Sequence, residues 1–291
     1  MEQIGLLHDG QIYDLQTAEA LNIKGDIIKA DDSKESLEIL RHSCAHMMAQ
    51  AIKELYPEAK FFVGPVVKEG FYYDFKVESK ISDEDLPAIE KKMKEIADRK
   101  LPITRYETTK EEFYEKFKND ELKQAVLKNI KDDTLTIYKQ GDFEDLCRGP
   151  HLPNTRMIRS FKLTRVAGAY LGGDEKNEMI TRIYGIAFFD KQALFDYTKM
   201  IEEAKKRDHR KLGTELELFT FNDDVGAGLP MWLPNGARLR SKLEHLLYKA
   251  HRIRGYEPVR GPEILKSEMW KISGHYANYK ENMYFTTIDD Q

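Results

Sequence analysis

Cysteine is scarce in this chain, since only two of its 291 residues are cysteine. Two cysteines without a framework spacing exclude a disulfide-stapled scaffold and indicate a reducing compartment. The sequence also lacks an apolar run of membrane-spanning length and an N-terminal pattern of basic residues followed by apolar ones. These absences predict a cytoplasmic protein with no membrane partner.

The composition is that of an ordinary globular protein, with 41% hydrophobic and 33% charged residues. The length suggests about two domains. A net charge of −4 argues against indiscriminate nucleic-acid binding. Basic residues nevertheless crowd the stretches 205–211 and 238–254. Such runs are usually solvated helix faces, but they would also suit a phosphate backbone.

Two short motifs carry most of the chemical information. His42 and His46 form an H-x-x-x-H pair, and Cys147 and His151 form a C-x-x-x-H pair. Together they supply three imidazoles and one thiol, which suit either a hydrolytic site or a zinc site. A lone histidine would more often be a structural residue, whereas a pair on one helix face favours a functional site.

Hydrophobic spacing predicts a helix around the first motif. Asp32 would cap it, Glu35 would complete a capping box, and the helix would run to Leu55 before Pro57. Five apolar residues lie on the face of Cys44 at helical spacing: Leu37, Leu40, Met48, Ala51 and Leu55. We therefore expect Cys44 in the core, and the two histidines turned toward solvent or toward a cleft closed by another segment.

The second motif is predicted at the end of a strand. Asp145 and Cys147 would share one strand face, and Gly149 and Pro150 would then turn the chain so that His151 swings back. The alternative is an ordinary exposed turn that contains a buried cysteine.

The remaining pattern predicts an α+β organisation. We expect a small β appendage at 1–31, an α+β domain with antiparallel pairing at 32–200, and a linker at 201–235. The linker holds a charged helix at 202–212 and a loop at 226–236, and an amphipathic helix follows at 236–254. The strand-like runs are 4–7, 12–15, 61–67, 71–75, 134–138 and 182–189.

Several further segments occur in a specific order and spacing: Arg41-His-Ser-Cys-Ala-His46, Gly70-Phe-Tyr-Tyr-Asp74, Leu146-Cys-Arg-Gly-Pro-His151, Ala167-Gly-Ala-Tyr170, Lys206-Arg-Asp-His-Arg-Lys211 and Ser273-Gly-His275 with Tyr279-Lys-Glu-Asn-Met283. Together they resemble one family, threonyl-tRNA synthetase, over almost the whole chain. The resemblance implies an antiparallel-sheet editing domain with helices, followed at 236–291 by an incomplete class II synthetase antiparallel α/β domain.

The resemblance also implies a function. The two His/Cys pairs would form an editing site that hydrolyses serine wrongly attached to threonine tRNA, with no metal. Lys123 and Asp145 would hold the terminal ribose or the substrate amine, and Tyr73 would lie at the pocket wall. Without the resemblance, core packing would explain Tyr73 equally well, and Lys123 would be an ordinary surface charge.

Helix 236–254 with the strand through Pro262 resembles motif 1 of class II synthetases, which implies a homodimer interface in the full-length enzyme. Residues 1–31 resemble a shortened form of the family's larger N-terminal domain. The residues that bind ATP-Mg and the synthetic zinc ion would lie beyond Gln291. We therefore expect the N-terminal part of the enzyme, which edits but does not form threonyl-tRNA unaided.

Two other interpretations remain open at this point. One is a zinc-dependent hydrolase similar to the alanyl-tRNA editing proteins, which share both motifs. The other is a non-enzymatic RNA-binding or dimerisation module, which would be favoured if the four motif residues lay far apart.

Overall fold

The computed structural model describes residues 2–128 and 130–286. Contacts divide the chain into two units, one ending at Glu203 and one beginning at Ala204. The described strands are β1 (Gln3–His8), β2 (Gln11–Asp14), β3 (Asp26–Lys29), β4 (Lys60–Phe61), β5 (Val66–Val67), β6 (Gly70–Lys76), β7 (Ile103–Thr109), β8 (Thr134–Gln140), β9 (Phe143–Leu146), β10 (Ser160–Tyr170), β11 (Met179–Phe188), β12 (Phe219–Thr220) and β13 (Met231–Trp232).

The described α-helices are α1 (Leu15–Ala20), α2 (Lys34–Leu55), α3 (Leu86–Asp98), α4 (Lys110–Lys116), α5 (Glu121–Lys128), α6 (Lys191–Lys206), α7 (His209–Glu215), α8 (Pro234–Ile253), α9 (Ser267–Ile272) and α10 (His275–Tyr279). No helix within the described ranges combines the length and the apolar character needed to cross a bilayer.

The strands form antiparallel sheets, which confirms the predicted α+β class. In the first unit, one sheet has the order β2-β1-β3, a second has the order β10-β11-β6-β4 with β5 also paired to β6, and a third has the order β7-β8-β9. Each pairing in these sheets is antiparallel. In the second unit, β12 pairs with β13.

Helix α2 lies at the centre of the first unit. Cys44 is completely buried, as predicted, and the helix packs against β6, β11 and α3. On β6, every second side chain lies on the face toward the helix. These side chains are almost fully buried, and they belong to Phe71, Tyr73 and Phe75. Leu55, by contrast, is 37% exposed, because it stands at the last turn of the helix beyond this packed region. The prediction for that residue was wrong.

The predicted cap of α2 was also wrong. The helix begins at Lys34 with Ser33 at the cap position, and the Asp32 carboxylate does not bond to the helix. Its oxygens instead accept hydrogen bonds from the backbone N–H groups of Phe189 and Asp190, at 2.7 and 3.3 Å. A tertiary contact thus competes successfully with the local capping box.

Other element boundaries differ from the sequence pattern. The run 61–67 forms two short strands separated by a segment containing Pro65, which has no backbone N–H for a ladder. The charged run 202–212 forms parts of two helices, because the Asp208 carboxylate accepts from the Arg210 N–H and starts α7. The run 226–236 includes β13, and α8 begins at Pro234.

The N-terminal sheet lies in the same unit as α2. Ile4 of β1 is fully buried in the main core together with Ile39 of α2. The approach is close at Gly5, because a Cβ there would stand 2.9 Å from the Ile39 side chain and closer to the Tyr13 carbonyl. This packing brings the end of β2 beside the second sequence motif.

Candidate functional site

Two segments more than a hundred residues apart bring the motif residues together. Helix α2 presents His42 and His46, and the segment after β9 presents Cys147 and His151. One ligand atom from each of the four side chains lies within 4.8 Å of the others. The cleft that we predicted on the histidine face of α2 is therefore closed by the 147–151 segment.

The thiol of Cys147 lies between two imidazoles. Its Sγ stands 3.1 Å from Nε2 of His42 and 3.2 Å from Nε2 of His151. The His151 ring is central, with its centroid 4.2 Å from the centroids of both His42 and His46. The Gly149 N–H also donates to the Cys147 sulfur at 3.3 Å. The four groups thus form one compact cluster.

The turn that returns His151 requires glycine. Gly149 has a φ of +76°, a conformation that side chains other than glycine rarely adopt. A Cβ at this position would lie 2.8 Å from an Asp14 carboxylate oxygen and closer still to the Tyr138 hydroxyl. The predicted turn is present, although Cys147 follows the end of β9 at Leu146 instead of lying within the strand.

Ser43 determines which nitrogen of His151 carries the proton. Its hydroxyl donates to the Ile39 carbonyl at 2.9 Å and accepts from the Leu152 N–H at 2.8 Å. His151 Nδ1 lies 3.3 Å from the same oxygen. Because the hydroxyl hydrogen is already used, Nδ1 must be the donor in this contact. Nε2 of His151, which lies 3.2 Å from the Cys147 sulfur, then carries no proton.

A second buried group adjoins the cluster. The Asp145 carboxylate accepts from the Tyr73 hydroxyl, from the Lys123 ammonium and, at 2.8 Å, from the Leu146 N–H. Tyr73, Lys123 and Asp145 are each at least 96% buried as whole residues. Tyr73 also places its ring centroid 6.3 Å from that of His46. Lys123 is therefore not a surface charge, and Tyr73 serves both the core and this group.

Burial shifts the titration of the cluster. It lowers the pKa of His42 to about 4 and the pKa values of His46 and His151 well below the ordinary 6.5. It raises the pKa of the Cys147 thiol far above its ordinary value. The three imidazoles and the thiol are therefore neutral near pH 7.

Burial acts in opposite directions on the ion pair beside the cluster. It raises the pKa of Asp145 well above its ordinary value and lowers the pKa of Lys123 to about 8. Direct contact between the two charges opposes both effects.

The cluster is open to solvent on one side. His46 and His151 are almost fully buried, whereas His42 and Cys147 are partly exposed. A cavity of about 540 Å³ lies beside the same turn, and its lining includes Asp14, Glu38 and Pro150. None of the four cluster side chains lines this cavity.

Sequence reasoning missed three residues that contact the cluster. These are Ser43, Tyr138 and Asp14, and each hydrogen-bonds to His151 or to its partners. Ser43 lies within the first motif, so its position between the histidines was a usable signal. Asp14 and Tyr138 belong to other strands, and their proximity arises only from the packing of the sheets.

Known proteins resemble this chain closely. Threonine–tRNA ligase of Campylobacter jejuni is 70% identical over 290 residues, which is 100% of this chain and 48% of that relative. The chain belongs to the threonyl-tRNA synthetase family. The ligase of Helicobacter hepaticus is 67% identical over 290 residues, again 48% of the relative, and that of Campylobacter lari is 74% identical over 261 residues, 90% of this chain and 43% of the relative.

A domain family also matches part of the chain. The threonyl and alanyl tRNA synthetase second additional domain corresponds to residues 135–184. This match contains Asp145, Cys147 and His151, and the histidines of α2 lie outside it. The chain spans about half the length of these threonyl-tRNA synthetase relatives.

Proposed function

We propose that this chain hydrolyses the ester bond of serine wrongly attached to threonine tRNA. The observation that carries the proposal is the cluster of His42, His46, Cys147 and His151, whose ligand atoms lie within 4.8 Å of one another. Family membership supplies the substrate class, because the relatives are threonine–tRNA ligases. Neutral imidazoles, one of which, His42, is partly exposed, suit the activation of water.

The protonation states of the cluster favour His151 as the general base. Ester hydrolysis requires a water that loses a proton as it attacks the carbonyl carbon, and the ribose oxygen must gain a proton as it leaves. Nε2 of His151 carries no proton and can accept one, because the proton of the ring is on Nδ1, which donates to Ser43. Cys147 retains its proton, since burial raises the pKa of its thiol. The thiol would therefore orient the water and would not act as a nucleophile.

The buried ion pair would orient the substrate. Paired with the Lys123 ammonium, the Asp145 carboxylate would be an anion next to the cluster and would suit the ammonium group of the aminoacyl ester. Lys123 suits an oxygen of the terminal ribose, and Tyr73 closes the wall beside His46. Because the Lys123 ammonium is already bonded to the Asp145 carboxylate, the substrate amine would replace Lys123 in that contact.

Deacylation of seryl-tRNA by the full chain tests this proposal. Threonine tRNA that carries serine should lose the serine much faster with the protein than in buffer. The His151→Ala variant should lower the rate constant of this hydrolysis by about a hundredfold or more. Arg148→Ala removes an exposed side chain from the same turn and serves as the matched control. A wild-type rate equal to the buffer rate would refute the proposal.

A zinc-dependent hydrolase is the second candidate, and the donor set itself favours it. Three imidazole nitrogens and one thiol are ligands that zinc prefers, and the four ligand atoms lie within 4.8 Å of one another. Zinc bound there would lower the pKa of a coordinated water. All four ligands together would, however, leave no open position, which catalytic zinc sites keep.

Metal analysis separates the two candidates. We expect protein treated with a zinc chelator to keep the wild-type deacylation rate and added zinc to inhibit it, because zinc would occupy the nitrogen that accepts the proton. Loss of activity on chelation and its return with zinc would instead support the second candidate. The third interpretation, a non-enzymatic module, depended on the four motif residues lying far apart. They lie close together, which argues against it.

The relatives, which are threonine–tRNA ligases, support proposals for the partners and cofactors of the whole enzyme. We propose threonine tRNA as the partner of this chain and ATP-Mg and a zinc ion as cofactors of the whole enzyme's synthetic site. We also propose a homodimer through the segment that resembles motif 1. In the second unit, helix α8 leaves several apolar side chains at least 48% exposed, which a second copy would cover: Leu239, Leu243, Leu246 and Leu247.

A further inference from the structure

Asp14, at the end of β2, connects the N-terminal sheet to the His/Cys cluster. Its side chain is 98% buried, and each carboxylate oxygen has a different task. Oδ1 accepts from the Thr17 N–H at 2.7 Å and thereby caps α1. Oδ2 accepts from the His151 N–H at 3.0 Å and from the Tyr138 hydroxyl at 2.6 Å. Capping of α1 explains the burial of Oδ1 but not the bonds that Oδ2 accepts.

The second oxygen belongs to a network that surrounds one side of His151. The Tyr138 ring centroid lies 4.4 Å from that of His151. Because the Tyr138 hydroxyl donates to Asp14, the Thr17 hydroxyl must be the donor in its 3.0 Å contact with Tyr138. This arrangement directs both hydroxyl hydrogens along one chain toward Asp14. A Cβ at Gly149 would stand 2.8 Å from the same oxygen, so the turn also passes close to this carboxylate.

The opposite side of His151 is held by α2. Ser43 accepts from its Nδ1 and from the following N–H, that of Leu152. The backbone of His151 is thus bonded to the N-terminal sheet, and its ring is bonded to the helix. With both anchors in place, Nε2 is directed at the Cys147 sulfur.

We propose that Asp14 is a positioning residue for His151, so that the N-terminal β segment is a working part of the hydrolytic site. This inference rests on the proposed function and extends it, because it assigns a role to a segment that contributes no side chain to the cluster. Asp14 acts through the backbone N–H of His151 and through Tyr138, and it does not contact the reacting atoms. A displaced His151 would lower the rate of the chemical step and leave substrate binding unchanged.

Asp14→Asn in the full chain tests the proposal. Asparagine keeps the side-chain volume, and its oxygen still caps α1, but its amide group then faces the His151 N–H as a second donor. Gln16→Ala is the matched control. Gln16 joins the same segment to β7, through the Ile103 carbonyl and the Arg105 N–H, and does not touch His151.

The expected results are specific. Asp14→Asn should lower kcat for seryl-tRNA deacylation by about tenfold or more with KM within about twofold, whereas Gln16→Ala should keep both near wild type. The ring-nitrogen NMR signals of His151, assigned by their loss in His151→Ala, should move in Asp14→Asn and stay in place in Gln16→Ala. A folded Asp14→Asn protein with unchanged kcat or unchanged His151 signals would overturn the proposal.

Two further measurements distinguish failure of this proposal from a variant that does not fold and from failure of the proposed function. If Asp14→Asn does not fold, Tyr138→Phe removes only the hydroxyl that bonds Asp14 and should still move the His151 signals and lower kcat by about threefold. Unchanged values would then overturn the proposal. If the wild-type chain does not hydrolyse seryl-tRNA, the proposed function fails, and the NMR comparison alone decides whether Asp14 positions His151.

Discussion

The Cys147 sulfur lies 3.1 Å from Nε2 of His42, although 105 residues separate them in the chain. Neither side chain belongs to a loop that is free to adapt, because His42 is in the middle of α2 and the Cys147 N–H is bonded to the Thr136 carbonyl of β8. The contact is therefore a product of the fold, and the site exists before a substrate binds. Such preorganisation suits catalysis by fixed groups.

Neighbouring positions on α2 should respond differently to alanine. We predict that His42→Ala lowers deacylation by about a hundredfold with little loss of stability, because His42 is partly exposed on the cluster side. Cys44→Ala should keep most of the activity and cost about 1 kcal/mol, because Cys44 is fully buried in the core. Deacylation rates and urea unfolding of both variants check this prediction, and the reverse pattern would contradict our face assignment.

The ion pair between Lys123 and Asp145 should reveal itself in a double-mutant cycle. Lys123→Met leaves Asp145 as a buried unpaired acid and should cost about 3–5 kcal/mol of unfolding free energy. Adding Asp145→Asn removes that charge and keeps an acceptor for the Tyr73 hydroxyl, so the double variant should recover most of the loss. It should still fail to hydrolyse seryl-tRNA. A double variant no more stable than Lys123→Met would exclude a buried ion pair.

Acid should destabilise the metal-free protein before it affects most carboxylates. The pKa of His42 is about 4 in the folded state, and its ordinary value is 6.5. Between these values the unfolded chain binds more protons than the folded chain, so the free energy of unfolding falls as pH decreases from 6.5 toward 4. His46 and His151 act in the same direction.

Urea midpoints measured between about pH 8 and about pH 5 check this prediction, with His42→Gln as the variant that should lose part of the slope. The deacylation rate should stay nearly constant over most of the same range, since the imidazoles remain neutral. A rate that halves near the ordinary histidine pKa would mean that the base is not a buried imidazole.

Local pattern explains how much of the site was predictable. The 3.6-residue period of α2 separates Cys44 from His42 and His46, because a helix fixes the direction of each side chain. The Gly149 turn was predictable too, because glycine and proline restrict the backbone strongly. These features depend on neighbours in sequence, and the structure agrees with them.

Features that depend on distant partners were not predictable. Asp32 has the local signature of a helix cap, yet two backbone donors at Phe189 and Asp190 use its oxygens. Lys123 has the context of a surface lysine, and only the placement of α5 near β9 buries it against Asp145. Asp14 carries no motif at all. In each case a side chain is committed to a segment that the local pattern does not specify.

Selectivity should come from steric exclusion of the correct amino acid. Threonine differs from serine by one methyl group, and greater apolar contact would favour threonine, so a proofreading site must penalise that methyl. A methyl pressed against a close wall costs about 1–3 kcal/mol, and displacement of the attacking water adds a further loss of rate. The cluster offers little spare room, because His46 and His151 are almost fully buried beside Tyr73.

We therefore predict that seryl-tRNA is hydrolysed at least about tenfold faster than threonyl-tRNA. Parallel deacylation of the two esters by the wild-type chain measures the ratio, with Cys147→Ala as the inactive control. Equal rates would point to a general esterase, because a site that destroys the correct product cannot proofread.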